Sequence, residues 1–139
     1  ILSLPAARCR PPIQSHRGAR RFLSVGQPTL NRLFDLARRS RATVFEILMA
    51  AFNALLYRYS AQTDIIVGFP IANREQSQLE NLIGFFVNTL ALRTDLSGDP
   101  TFAQLLLGVR EGLREVYNHR DLPFERLVLS YLRQRGLVR

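Results

Sequence analysis

The sequence predicts a mixed α/β fold: a small mixed sheet flanked by helices, forming one modest domain. Three observations lead there. The run Ile65-Ile66-Val67 is continuous, apolar and β-branched, the composition of an interior strand buried on both faces. Residues 43–60 and 102–117 repeat apolar side chains at helical spacing. The elements follow one another as strand, helix, helix, strand, strand, helix, helix, which is the order of a mixed class. The chain has 139 residues, enough for one such domain.

Each element has its own reason. Residues 1–19 are rich in Pro, Arg and Ser and read as an extended arm. Residues 20–25, with Phe22, Leu23 and Val25, form a short strand candidate. Pro28 suits a first helical turn, where its missing N–H has no partner to lose. Leu30, Leu33, Phe34 and Ala37 follow on one face, with Arg32, Asp35, Arg38 and Arg39 opposite. Thr43-Val44-Phe45-Glu46 fits a capping box and starts the clearest helix. Its apolar residues form two stripes: Val44, Ile47, Leu48, Ala51 and Leu55, then Phe45, Met49, Phe52 and Leu56. A helix apolar nearly all round is expected to be central and buried.

Asp64 opens the Ile65–Val67 strand, which Gly68, Pro70 and Ala72-Asn73-Arg74 close. Residues 73–78 read as a loop and 79–83 as one helical turn. Residues 85–94 are the next strand, entered from Gly84, with the polar pair Asn88-Thr89 inside an apolar run. Leu96-Ser97-Gly98 is a turn. Asp99 as cap and Pro100 as first helical residue are expected to start a long helix carrying Phe102, Leu105, Leu106, Val109, Leu113, Val116 and Tyr117. His119-Arg120-Asp121-Leu122 breaks it. Pro123 opens a last helix with Phe124, Leu127, Val128, Tyr131 and Leu132 turned inward. Residues 20–134 are taken as the domain and 135–139 as a tail.

Composition narrows the function classes. No run approaches the ~18 apolar residues of a membrane span. A single cysteine, Cys9, rules out an internal disulfide framework and fits a reducing, cytoplasmic location. The net charge is +8, and every basic residue is Arg. Residues 1–41 hold nine Arg against Asp35 alone, residues 42–125 hold six Arg against ten acids, and the last 14 residues add four Arg. Basic ends can attract nucleic acid, but no aromatic interleaving or recognised binding motif accompanies them. No nucleic-acid or membrane partner is therefore expected.

Standard catalytic patterns are absent: no G-x-S-x-G elbow, no phosphate-cradling glycine loop. His16, His119 and Cys9 cannot supply a Cys/His zinc site. His119 at a helix end suits the carbonyls and dipole there. Asp121 suits a neighbouring N–H or the cap of the last helix, and Asp95 and Asp99 read as turn and helix-start residues. Asn88 stands apart. A buried amide needs partners, and these are either the fold or a substrate. Arg93 lies five residues on, hence on the other face of the strand, and reads as one half of an ion pair.

Together these residues resemble a known family. Ile83-Gly84-Phe85-Phe86-Val87-Asn88-Thr89 with Arg93 is similar to the I-G-x-F-V-N-T…R motif of nonribosomal peptide synthetase condensation domains. Asn118-His119-Arg120-Asp121-Leu122-Pro123-Phe124-Glu125 is similar to their H-Q-D-x-P-F-E motif, with a departure in its first positions. Residues 58–70, Ala72-Asn73-Arg74 and residues 95–102 also resemble the family, and the likeness spans about residues 1–128. It implies one chloramphenicol-acetyltransferase-like subdomain, the C-terminal of two that form a V around a tunnel. It implies donor and acceptor peptidyl carrier proteins as partners, which present phosphopantetheine thioesters, with no cofactor bound by this chain. It places Asn88 near the tunnel as a substrate-contact candidate. Gly84, Phe86, Val87, Thr89, Arg93, Asp121, Pro123, Phe124 and Glu125 become motif residues of structural role.

The family's H-H-x-x-x-D-G signature, whose second His serves as base or positioner, does not occur in this chain, nor does R-D-x-S-R-N-P. By the resemblance the former lies upstream of residue 1, in a missing N-terminal subdomain. The chain is thus expected to be inactive alone, with no catalytic residue of its own. After Val128 the sequence is expected to depart from the family, as a truncated or frameshifted frame would. Two other readings stay open: a carrier-docking module without chemistry, and a different acyltransferase of the same superfamily.

Overall fold

The computed structural model describes residues 2–5, 13, 18–73 and 81–136. Its elements are α1 (Gln27–Ser40), α2 (Val44–Ser60), β1 (Asp64–Ile71), β2 (Asn88–Asp95), α3 (Phe102–Asn118) and α4 (Phe124–Gln134). Cys9, His16, Arg74 and the first part of the turn expected at 79–83 lie outside the described residues, as does most of the expected N-terminal arm.

β1 and β2 pair antiparallel, from Asp64 opposite Asp95 to Ile71 opposite Asn88. The Leu96 N–H donates to the Thr63 carbonyl at 2.8 Å. That bond sets the parity of the ladder, so the odd residues of β1 bond to β2 and the even ones point their main chain outward. Pro70 falls at an outward position, where its missing N–H costs no ladder bond. One face of the hairpin, with Ile65, Phe69, Leu90 and Leu92, packs on α2 and α3 to make the core with Ile47, Ala50, Leu56, Val109 and Leu113. Leu2 also packs against this cluster.

The helices form where local chemistry says they should. Thr43 accepts from the Glu46 N–H at 3.2 Å while Glu46 accepts from the Thr43 N–H at 2.6 Å, the expected reciprocal box. α1 begins with proline in its first turn and ends on Arg41 in the left-handed region. Arg110 of α3 donates from Nη1 to the Ser40 and Arg41 carbonyls at 3.2 and 3.4 Å, supplying donors to the end of α1. Gly112 lets α3 approach the sheet: a Cβ there would stand 2.9 Å from Leu92 Cδ1.

Several expectations are corrected. Residues 20–25 form no strand, and Phe22 and Leu23 are each 92% exposed. Strand propensity yields a strand only where an edge is offered. The strand expected from residue 85 starts at Asn88, because β1 ends opposite it at Ile71. Asn88 therefore sits at the mouth of the strand, not inside it. Ile65 is buried, but Ile66 is 60% exposed, so β1 is covered on one face only. α3 starts two residues later than expected. Thr101 caps it in a box with Gln104, while Asp99 takes a left-handed φ of 51° in the preceding turn. α2 buries Ile47, Met49, Ala50, Asn53 and Leu56, while Phe45, Leu48, Phe52, Leu55 and Tyr59 are exposed. α4 buries no residue fully, and Leu127, Val128 and Tyr131 face outward.

Candidate functional site

The two motifs singled out in the sequence meet in space, and Asn88 joins them. Its Nδ2 donates to the Arg120 carbonyl at 2.7 Å and to the Leu122 carbonyl at 2.9 Å. Its Oδ1 accepts from the Thr89 N–H at 2.9 Å and from the Phe124 N–H at 3.3 Å. Two carbonyls on one side and two N–H groups on the other fix the orientation of the amide, since a flip would set like against like. Both amide hydrogens are thus spent on main chain, and a direct substrate contact would cost one of them.

This geometry settles how α4 begins. Its cap position is Pro123, and the side chain there offers no acceptor. The first helical N–H, that of Phe124, goes to Asn88 rather than to Asp121, the capping residue suggested by the sequence. Asp121 is exposed in the turn. Glu125 stands in the first turn of α4, where a carboxylate suits the positive end of the helix dipole. His119 ends α3, with its own N–H donating to the Val116 carbonyl at 3.1 Å.

Two cavities flank the turn that Asn88 holds. One, of about 410 Å³, is walled by Phe45, Phe69, Tyr117, Asn73 and Arg120. Phe69 stacks at a tilt with both Phe45 and Tyr117, at centroid distances of 5.5 and 6.2 Å. The other, of about 280 Å³, is walled by Thr89, His119, Leu122, Phe124 and Leu127, with Glu115 at its side.

Before Asn88, Gly84 has a local purpose. A Cβ there would lie 3.0 Å from the Phe86 ring, which folds back over it. Val87 is exposed, and Thr89 is half-buried at the second cavity. Arg93 lies on the sheet face opposite Asn88, as period two required, and makes a two-pronged bridge to Asp64 at 2.8 and 3.0 Å. The hydrogen bond from Arg93 holds the Asp64 carboxyl below the usual carboxylate range, and the same bond raises Arg93. Asp95 is lowered in turn by the Ser97 N–H and hydroxyl.

Sequence reasoning missed Asn53. It is fully buried on α2 and donates to Thr94 Oγ1 of β2 at 3.1 Å. The signal was an amide at a core-facing position between Ala50 and Leu56. Among the described residues no cluster of three or more His, Cys, Asp or Glu side chains could hold a metal. No helix among them is long and apolar enough to cross a membrane.

A small antiparallel sheet backed by helices, with this junction at its end, defines a partial chloramphenicol-acetyltransferase-like unit. The chain belongs to the Condensation domain family, which matches residues 1–137. The match therefore continues past Val128, where departure was expected. One polypeptide of the linear gramicidin synthase of Brevibacillus parabrevis is 52% identical over 137 residues, covering 99% of this chain and 2% of that protein. Holo-AB3403, a four-domain nonribosomal peptide synthetase bound to AMP and glycine, superposes with a TM-score of 0.89. It is 31% identical, over 92% of this chain and 10% of that one. The X-domain of teicoplanin biosynthesis, solved in complex with OxyB, gives a TM-score of 0.84 at 36% identity, over 90% of this chain and 28% of that one. The chain thus spans a small part of the length of each of these relatives.

Proposed function

We propose that the chain contributes one subdomain to an amide-forming condensation unit of a nonribosomal peptide synthetase. In that unit an amine on one carrier-tethered substrate attacks the thioester carbonyl of another. The C–N bond forms, the C–S bond breaks, and the proton lost by the amine passes by way of a base to the departing sulfur, which leaves as the phosphopantetheine thiol. The base belongs to the H-H-x-x-x-D-G signature, which this chain does not contain, so the chain alone is inactive in this reading. The partners are donor and acceptor carrier proteins and an N-terminal condensation subdomain, and the setting is cytoplasmic. Residues 20–134 are the part of this chain that forms the C-terminal subdomain of that unit.

The observation that carries the reading is the Asn88 junction. It brings the Ile83–Arg93 and Asn118–Glu125 motifs together through three hydrogen bonds in a chain whose family membership runs over both. The test is reconstitution. A complete condensation domain containing this chain, given two carriers loaded with aminoacyl thioesters, should release an amide-linked product seen by mass spectrometry. The chain alone should release none. Absence of product from the complete assembly would sink the reading.

A second reading is a docking module without chemistry. The likeness to a teicoplanin X-domain solved in complex with another protein, OxyB, favours it. Carrier binding that weakens with salt, without amide product from the complete assembly, would select this alternative.

A further inference from the structure

We propose that Asn88 is a positioning residue that acts on the acyl substrate only through the turn at residues 119–124. The inference rests on the condensation reading for its substrate and on geometry for its mechanism. Asn88 is the first residue of β2, anchored by the ladder opposite Ile71. From there its amide reaches main-chain groups 32, 34 and 36 residues away, at Arg120, Leu122 and Phe124. A single side chain thus fixes the turn at three points to the end of the β1–β2 ladder. Pro123, the cap residue of α4, lies between the last two points and its side chain has no acceptor, so the Phe124 N–H would otherwise start α4 without a side-chain partner.

The turn matters because both cavities use it as a wall. Arg120 closes the aromatic cavity, while His119, Leu122 and Phe124 close the apolar one. The three anchored residues therefore belong to two different cavities. Loss of the anchor would let the turn and the start of α4 move together and change the width of both. Six of the nine residues lining the second cavity are Leu, Ala, Val or Phe, with Thr89, Glu115 and His119 as its polar members, which fits a group with an apolar body. No donor of Asn88 is left for the reacting carbonyl while all these bonds are made, which separates this role from direct stabilisation of an intermediate.

The test pairs a structural and a kinetic reading of Asn88→Ala and Asn88→Asp. The structural arm measures hydrogen exchange of the Phe124 amide in this chain. The kinetic arm measures KM and kcat in a full-length synthetase that contains it. Asn88→Ala should speed Phe124 exchange by roughly tenfold or more. It should raise KM for the carrier-tethered substrate while kcat stays within about twofold.

Asn88→Asp sets a carboxylate against the Arg120 and Leu122 carbonyls. Protonation would restore one donor, so its Phe124 protection should recover as pH falls through the carboxyl range, a recovery the alanine variant cannot show. Should the alanine variant fail to fold, this pH recovery decides alone. A fall in kcat with KM and exchange unchanged would overturn the proposal, as would an aspartate variant whose Phe124 protection factor, taken relative to the intrinsic exchange rate at each pH, does not change with pH. If the unsubstituted synthetase forms no amide, the condensation reading fails while the exchange arm still judges the anchor.

Discussion

At the scale of single residues, polar groups hold this chain at positions where apolar ones would have sufficed to fill space. Asn53 and Thr94 form a buried pair between α2 and β2. Thr94→Val would strand the Asn53 amide and should cost about 1–3 kcal/mol, read by urea unfolding. Adding Asn53→Leu should recover most of that loss, since removing both partners leaves nothing unsatisfied. A double variant as unstable as the single would refute this. On the other sheet face, Asp64 and Asp95 oppose one another, and Arg93 and Ser97 compensate them. Both carboxyls lie below their ordinary value of 3.8. A lowered folded-state pKa gives stability that is complete above the unfolded value and is lost as pH falls through the folded one. Acid below about pH 3.8 should therefore weaken the wild-type chain, and Asp64→Asn should flatten that decline. Equal acid slopes in the two proteins would count against the bridge.

At the scale of elements, helix starts were the most legible part of the chain and strand limits the least. Thr43 and Glu46 lie three residues apart, so the box is local and could be read directly. The same pattern at Thr101 and Gln104 was open to reading but was masked by the Asp99-Pro100 pair just before it. The two glycines of α3 make a paired prediction. A Cβ at Gly108 would meet nothing within 4 Å, so Gly108→Ala should stabilise by about 1 kcal/mol through helix propensity. At Gly112 the Cβ would press on buried Leu92, and the ~1–3 kcal/mol cost of overpacking should cancel or exceed the same gain. The thermal melt of Gly108→Ala should shift upward, while that of Gly112→Ala should stay in place or fall. A matching upward shift would mean that α3 can back away from the sheet freely.

At the scale of the whole molecule, the chain covers its sheet on one side and leaves apolar surface open on the other elements. Phe45, Leu48, Phe52, Leu55 and Tyr59 recur at three- and four-residue spacing along α2, and all are exposed. A patch of that kind drives association or awaits a covering partner. The chain by itself should bind a hydrophobic dye and sediment as more than a monomer. Leu48→Gln with Leu55→Gln should lower both signals without lowering the melting temperature. A wild-type chain that sediments as a monomer and melts in one sharp transition would argue that the stripe is harmless. The all-round apolar pattern of α2 was legible in the sequence, but which side this chain covers was not, because the pattern states demand for burial and not its supply.

The sequence by itself determined the helices, the β1 run, the mixed class and the two motifs that mark the family. These depend on contacts within about four residues or on residue identity alone. Tertiary structure alone decided three things: that residues 20–25 go unpaired, that β2 begins at Asn88, and that the amide of Asn88 is spent on a turn more than 30 residues away. Strand pairing and side-chain bonds to distant main chain join groups that sequence spacing does not relate. Their outcome is set by which edges and carbonyls the fold brings within hydrogen-bond reach.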